Sequence, residues 1–104
     1  MHDTYRIVLT AEALSDLQSI ASHIRKHSPQ NSASVAKTIL DSIDSLASMR
    51  SRFKREGTSR KRGTPVHSMV VRPFIVYYRV EQSPAAVYVL NVRHGSRRPP
   101  ASFP

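Results

Sequence analysis

With 104 residues, no cysteine, and sixteen Lys and Arg against seven Asp and Glu, the chain carries a formal charge of +9. One domain of that length buries about two-thirds of its unfolded surface unaided, and the missing cysteines exclude a disulfide framework, a thiolate nucleophile and a cysteine zinc site. The opening MHDTYRIVLT has no basic segment leading into an apolar core, and no apolar run approaches the ~18 residues that span a bilayer, so a cytoplasmic protein without a membrane partner is expected.

Residues 5–10 alternate as a strand does, with Tyr5, Ile7 and Leu9 on the inward face and Arg6 and Val8 on the other. Thr10 follows where a helix N-cap is wanted. Its hydroxyl can accept from a free first-turn amide, and Glu12 suits the positive end of the helix dipole. A helix is predicted over 11–27. Leu14, Leu17, Ile20, Ala21 and Ile24 form its apolar stripe, and Arg25, Lys26 and His27 occupy the end that favours cations. Ser28-Pro29 breaks it. A second helix, capped by Asn31 or Ser32 and running to 49, carries Val35, Ala36, Ile39, Ile43, Leu46 and Met49 on one side. So short a link makes the two an antiparallel hairpin, whose stripes need a sheet to lie on.

Residues 50–65 have no apolar period. Seven are basic (Arg50, Arg52, Lys54, Arg55, Arg60, Lys61 and Arg62), and Gly57 and Gly63 add freedom. The stretch reads as a mobile cationic loop, able to neutralise nucleic-acid phosphates or simply solvated. Three strands follow in quick succession, over 66–71, 74–81 and 87–93, separated by Arg72-Pro73 and by a turn at Ser83-Pro84. Phe74, Val76, Tyr78 and Val80 share one face of the middle strand; Ile75, Tyr77 and Arg79 share the other. In the last strand Val87, Val89 and Asn91 alternate with Tyr88, Leu90 and Val92. One face of the sheet receives the helices. The other is too apolar to stay bare, so a partner segment, a second copy of the chain or a curl of the sheet should cover it.

The last strand then delivers Arg93, His94, Arg97 and Arg98 around Gly95, where glycine permits a backbone angle that other residues avoid. Residues 99–104 read as a disordered tail, leaving one domain over 1–98. The fold expected is α+β: an N-terminal strand, then a helical hairpin on one face of a small, mainly antiparallel sheet, in the order β-α-α-β-β-β. Charge divides along the chain. Up to Met49 there are four basic and five acidic residues; from Arg50 on there are twelve and two, a net −1 against +10. Such a one-sided field points to nucleic acid, a nucleoprotein particle or an acidic protein partner.

The stretch YRIVLTAEALSDLQSIASHI, the SP break, VRPFIVYYRV and the closing VYVLNVRHGSRR together resemble the RelE/ParE superfamily of type II toxin–antitoxin toxins, the ParE branch in particular. The resemblance covers nearly the whole chain except the tail. It implies the fold read above, with an antitoxin segment wrapping the C-terminal strands and adjoining cleft in a toxin–antitoxin hetero-oligomer; a homodimer through the apolar sheet face is the competing arrangement. ParE-like members inhibit DNA gyrase by binding. RelE-like members cut messenger RNA on the ribosome without metal, which needs a group to activate the 2′-hydroxyl, cations for the phosphate and an acid for the leaving oxygen. For that chemistry Arg72, Arg79, Arg93 and His94 are the candidates, with Glu56 and His67 behind them.

The closing His94-Gly95-Ser96-Arg97 follows the ParE-like ending and lacks the tyrosine or second acid–base group usual in RelE-like chains. Gyrase inhibition without catalysis is therefore the preferred reading, ribosome-dependent cleavage the alternative, and a non-toxic nucleic-acid-binding module a third. Arg72, Phe74, Tyr78, Arg93, His94 and Arg97 are the residues expected to meet a partner. His94 is read first as bonding its own turn and holding Arg93 or Arg97 in place, ahead of a catalytic role. No cofactor or metal is expected, with His2, His23, His27 and His67 read as unpaired.

Overall fold

The computed structural model describes residues 4–49, 54–58, 65–96 and 100. Strand β1 (Arg6–Leu9) leads through Thr10 into helix α1 (Ala11–His27). Thr10 caps as expected: its Oγ1 accepts the Ala13 N–H at 3.2 Å. The same hydroxyl donates to the Val89 carbonyl at 2.8 Å, and the Thr10 N–H donates there too at 3.1 Å. The cap of α1 is thus also its rivet to the last strand.

Leu17, Ile20 and Ile24 pack on the core as their spacing predicts, but Ala13 is the buried residue of α1, while Leu14 stays 47% exposed. One position along a helix is a turn of about 100°, and at the point where Thr10 pulls α1 against the sheet only a methyl fits. Helix α2 (Pro29–Met49) begins ahead of the expected Asn31 or Ser32. Pro29 takes the first helical position, where its missing N–H costs nothing. Asn31 instead donates its side-chain amide to Ser28 Oγ at 2.8 Å, and Ser32 Oγ donates to the Pro29 carbonyl at 3.1 Å. Ile39, Ile43 and Leu46 are buried. The side chain of Met49 lies outside the described residues.

The sheet adds β2 (Lys54–Thr58), β3 (Pro65–Val71), β4 (Phe74–Gln82) and β5 (Ala85–His94), in the spatial order β1-β5-β4-β3-β2. β1 lies parallel to β5 and the other pairs are antiparallel, so the α+β class and the mainly antiparallel sheet stand as predicted. Strand β2 was not anticipated. Part of the stretch read as loop pairs with β3, with a register shift between Arg55 and Gly57. Backbone hydrogen bonds alone can hold an edge strand, and Lys and Arg are tolerated there. The remainder of 50–64, the tail from 101 on, and Arg97 and Arg98 lie outside the described residues. Both Arg72-Pro73 and Ser83-Pro84 are cis.

Tyr5, Ile7 and Leu9, with Met69, Val71, Phe74, Val76, Tyr78, Val87 and Val89, meet the helices in the main core. The alternation of β5 slips partway along, because Tyr77 pairs with Asn91 whereas Tyr78 pairs with Val89, which leaves Leu90 as the extra residue. Val92, not Asn91, therefore returns to the helix side. On the opposite face Val66, Tyr77 and Leu90 are at most 2% exposed, with Ile75 and Tyr88 packed against them. That face is not bare at its centre, and no partner is needed to bury it there. Among the described residues no helix is long and apolar enough to cross a membrane.

Candidate functional site

The register shift in β5 is met by a carboxylate from α1. Asp16 accepts the Val92 N–H at 2.9 Å, with Asn91 Nδ2 3.5 Å away. Beyond this contact β5 runs on to Arg93 and His94, beside the β3–β4 turn. Gly95 joins the two: its N–H donates to the Pro73 carbonyl at 2.7 Å. Its backbone is not in the left-handed region. What glycine supplies is close approach, since a Cβ there would stand 3.2 Å from the Pro73 oxygen and also touch Ile75.

His94 is exposed, with the edge of its ring against Phe74 at 5.7 Å and 81°. Its Nδ1 accepts the Ser96 N–H at 3.1 Å and lies 2.8 Å from Ser96 Oγ, so the imidazole holds its own turn. Between α1 and this end of β4 and β5 lies a cleft of about 510 Å³ whose lining includes Asp16, His23, Phe74, Arg93, His94 and Ser96.

The predicted residues separate into groups. Arg72, exposed in the β3–β4 turn, Arg93, partly buried, and His94 gather at one end of the sheet. Arg79 does not join them. It pairs in register with Tyr88 while Arg93 pairs with Ile75, and four residues of strand separate those positions by about 14 Å at ~3.4 Å per residue. Arg79 is also only 5% exposed, is ion-paired to Glu81, and stacks its guanidinium 4.1 Å from the centre of the Tyr88 ring. Among the described residues its Nε has no hydrogen-bond partner.

Phe74 and Tyr78, expected at a partner surface, belong to the helix-side core at 8% and 0% exposure; Phe74 still lines the cleft, whereas Tyr78 offers no surface while the helices stay in place. Burial pushes the Tyr78 phenol up to about 12. His67 stacks on Tyr78 with ring centres 5.4 Å apart, away from the cleft. Of the basic stretch, Lys54 and Arg55 sit on the edge strand β2, with Glu56 at its register shift; their side chains, and all of Arg50, Arg52, Arg60, Lys61, Arg62 and Arg97, lie outside the described residues.

Asp16 was missed. The sequence held a sign of it, since an acid three residues after Ala13 and four before Ile20 falls on the inward flank of α1.

The chain thus folds as a helical hairpin covering one face of a mixed sheet, with a cleft between the first helix and the closing strand. Three solved structures share the fold. The chromosomal ParDE toxin–antitoxin system of P. aeruginosa matches at 20% identity and a TM-score of 0.68, covering 88% of this chain and 97% of that one. The archaeal RelE–RelB complex of Pyrococcus horikoshii OT3 matches at 16% and 0.61, covering 91% and 99%. The RelBE2 toxin–antitoxin complex of Mycobacterium tuberculosis matches at 20% and 0.57, covering 88% and 98%. At such identities the likeness is one of fold. No curated protein sequence matches significantly. Residues 7–99 match the family model of the ParE toxin of the type II toxin–antitoxin system parDE, and the chain belongs to that family.

Proposed function

We propose that this ParE-family toxin acts by binding DNA gyrase, and that a cognate antitoxin neutralises it. The observation that carries this reading over RNA cleavage is the position of Arg79. Cleavage through a ribose 2′-hydroxyl needs base, acid and cations within reach of one phosphate. Arg79 is buried about 14 Å along β4 from the Arg93 register, committed to Glu81 and Tyr88, and His94 is engaged with Ser96. What the cleft end offers is a binding surface. Exposed Arg72 and partly exposed Arg93 suit carboxylates of an acidic antitoxin segment, which arginine can grip with two hydrogen bonds at once.

The alternative, ribosome-dependent cleavage of messenger RNA, keeps one favourable observation: Arg93 and His94 both line the cleft, and Arg72 stands in the β3–β4 turn at the same end of the sheet. Induced expression of Arg93→Ala and His94→Ala variants separates the two readings. On the binding reading, His94→Ala keeps most growth inhibition, Arg93→Ala weakens both inhibition and antitoxin rescue, and neither strain accumulates cut messenger. Loss of inhibition in His94→Ala together with messenger cleavage in the parent strain would favour the nuclease.

A further inference from the structure

We propose that His23 and His27 form a two-histidine site for a divalent transition-metal ion of the Zn²⁺ or Ni²⁺ class on the exposed side of α1. Read as unpaired, these two residues are in fact four apart in α1, one turn of helix, and their ring centres stand 4.4 Å from each other at a 46° tilt. Two nitrogens bound to one tetrahedral ion, each at about 2.0–2.1 Å, lie about 3.3 Å apart, a separation these rings reach by side-chain rotation alone. The spacing is that of the two ligands in H-E-x-x-H metal helices. Here Ile24 stands where that motif has its glutamate, so the pair can hold an ion but supplies no general base.

Imidazole favours Zn²⁺, Ni²⁺ and Cu²⁺ over the hard cations, and both rings are exposed. Among the described residues no three His, Asp or Glu side chains gather as a metal cluster. With these two imidazoles as its ligands from the described residues, the ion would keep positions open for water or a further donor, as a site with fewer than four protein ligands does. Because His23 also lines the cleft with Asp16 and His94, the ion would sit at the rim of that cleft. The proposal does not depend on gyrase being the target.

The test uses the full chain, purified without a polyhistidine tag and titrated with Zn²⁺, and separately Ni²⁺, by calorimetry and imidazole NMR. Saturable one-to-one binding that shifts the His23 and His27 resonances is expected. Each of His23→Ala and His27→Ala should weaken it by at least the ~10-fold that even an outer-shell partner is worth, and His67→Ala should leave it unchanged. Absence of saturable binding, or binding retained in the His23→Ala/His27→Ala double variant, would overturn the proposal; both positions are exposed, so the variants keep the fold.

Discussion

Asp16 reaches across from α1 to the Val92 amide, and a carboxylate so placed is a stronger acceptor than a neutral oxygen. Replacing it with alanine removes that acceptor at a part-buried site. Asp16→Ala is predicted to cost about 1–3 kcal/mol in urea unfolding, whereas Asp16→Asn keeps an oxygen and loses less. The Arg79–Glu81 pair behaves asymmetrically, because its side chains are only 6% and 21% exposed. Glu81→Ala leaves a buried guanidinium without its counter-charge and should cost about 3–5 kcal/mol, while Arg79→Met removes the charge, keeps much of the volume and costs less. The same unfolding experiment reads both. Tyr78 sets a third expectation, on the alkaline side. A phenol raised from 10 to about 12 keeps its proton in the folded chain where the unfolded chain has lost it. Its contribution is complete below pH 10 and fades as pH climbs toward 12. Tyr78→Phe should show a flatter loss of stability across that window, and an unchanged slope would contradict the assignment.

Among the elements, α1 depends on its first residue pair of contacts more than on its length. Thr10→Ala deletes both the cap of Ala13 and the donation to Val89, so a loss of about 1–2 kcal/mol is expected by thermal or urea unfolding. The same elements show where residue patterns speak and where they fall silent. Both helices, the cap at Thr10 and the three C-terminal strands were legible because apolar spacing and capping are local. Strand β2 was not, because Lys54–Thr58 has no apolar alternation and is held at an edge by backbone pairing. The slip in β5 was hidden for a related reason: a bulge moves Val92 to the helix side without any change in composition. Gly95 was recognised as necessary but for the wrong cause, close approach to Pro73 replacing backbone freedom. Of the candidate site, Arg93 and His94 were legible as neighbours at the end of β5; that Arg72 stands beside them follows from the bond between Gly95 and Pro73. That Arg79 stays out of reach, and that Tyr78 is core, follows from burial that no single strand reveals.

For the molecule as a whole, the acidic and basic residues divide the chain into halves of net −1 and +10, and the cleft sits where the two meet: Asp16 and His23 come from the first half, Phe74, Arg93 and His94 from the second. The basic excess of the second half favours encounter with a negatively charged partner, an advantage that fades as salt rises. On the proposed binding role, the cleft end is organised by Asp16, Gly95 and the His94–Ser96 turn. The most direct measurement is DNA supercoiling by purified gyrase in the presence of the purified protein, run beside a translation-coupled messenger-cleavage assay. Inhibited supercoiling with intact messenger is the predicted result. Unimpaired supercoiling with messenger cut only in the presence of ribosomes would contradict it.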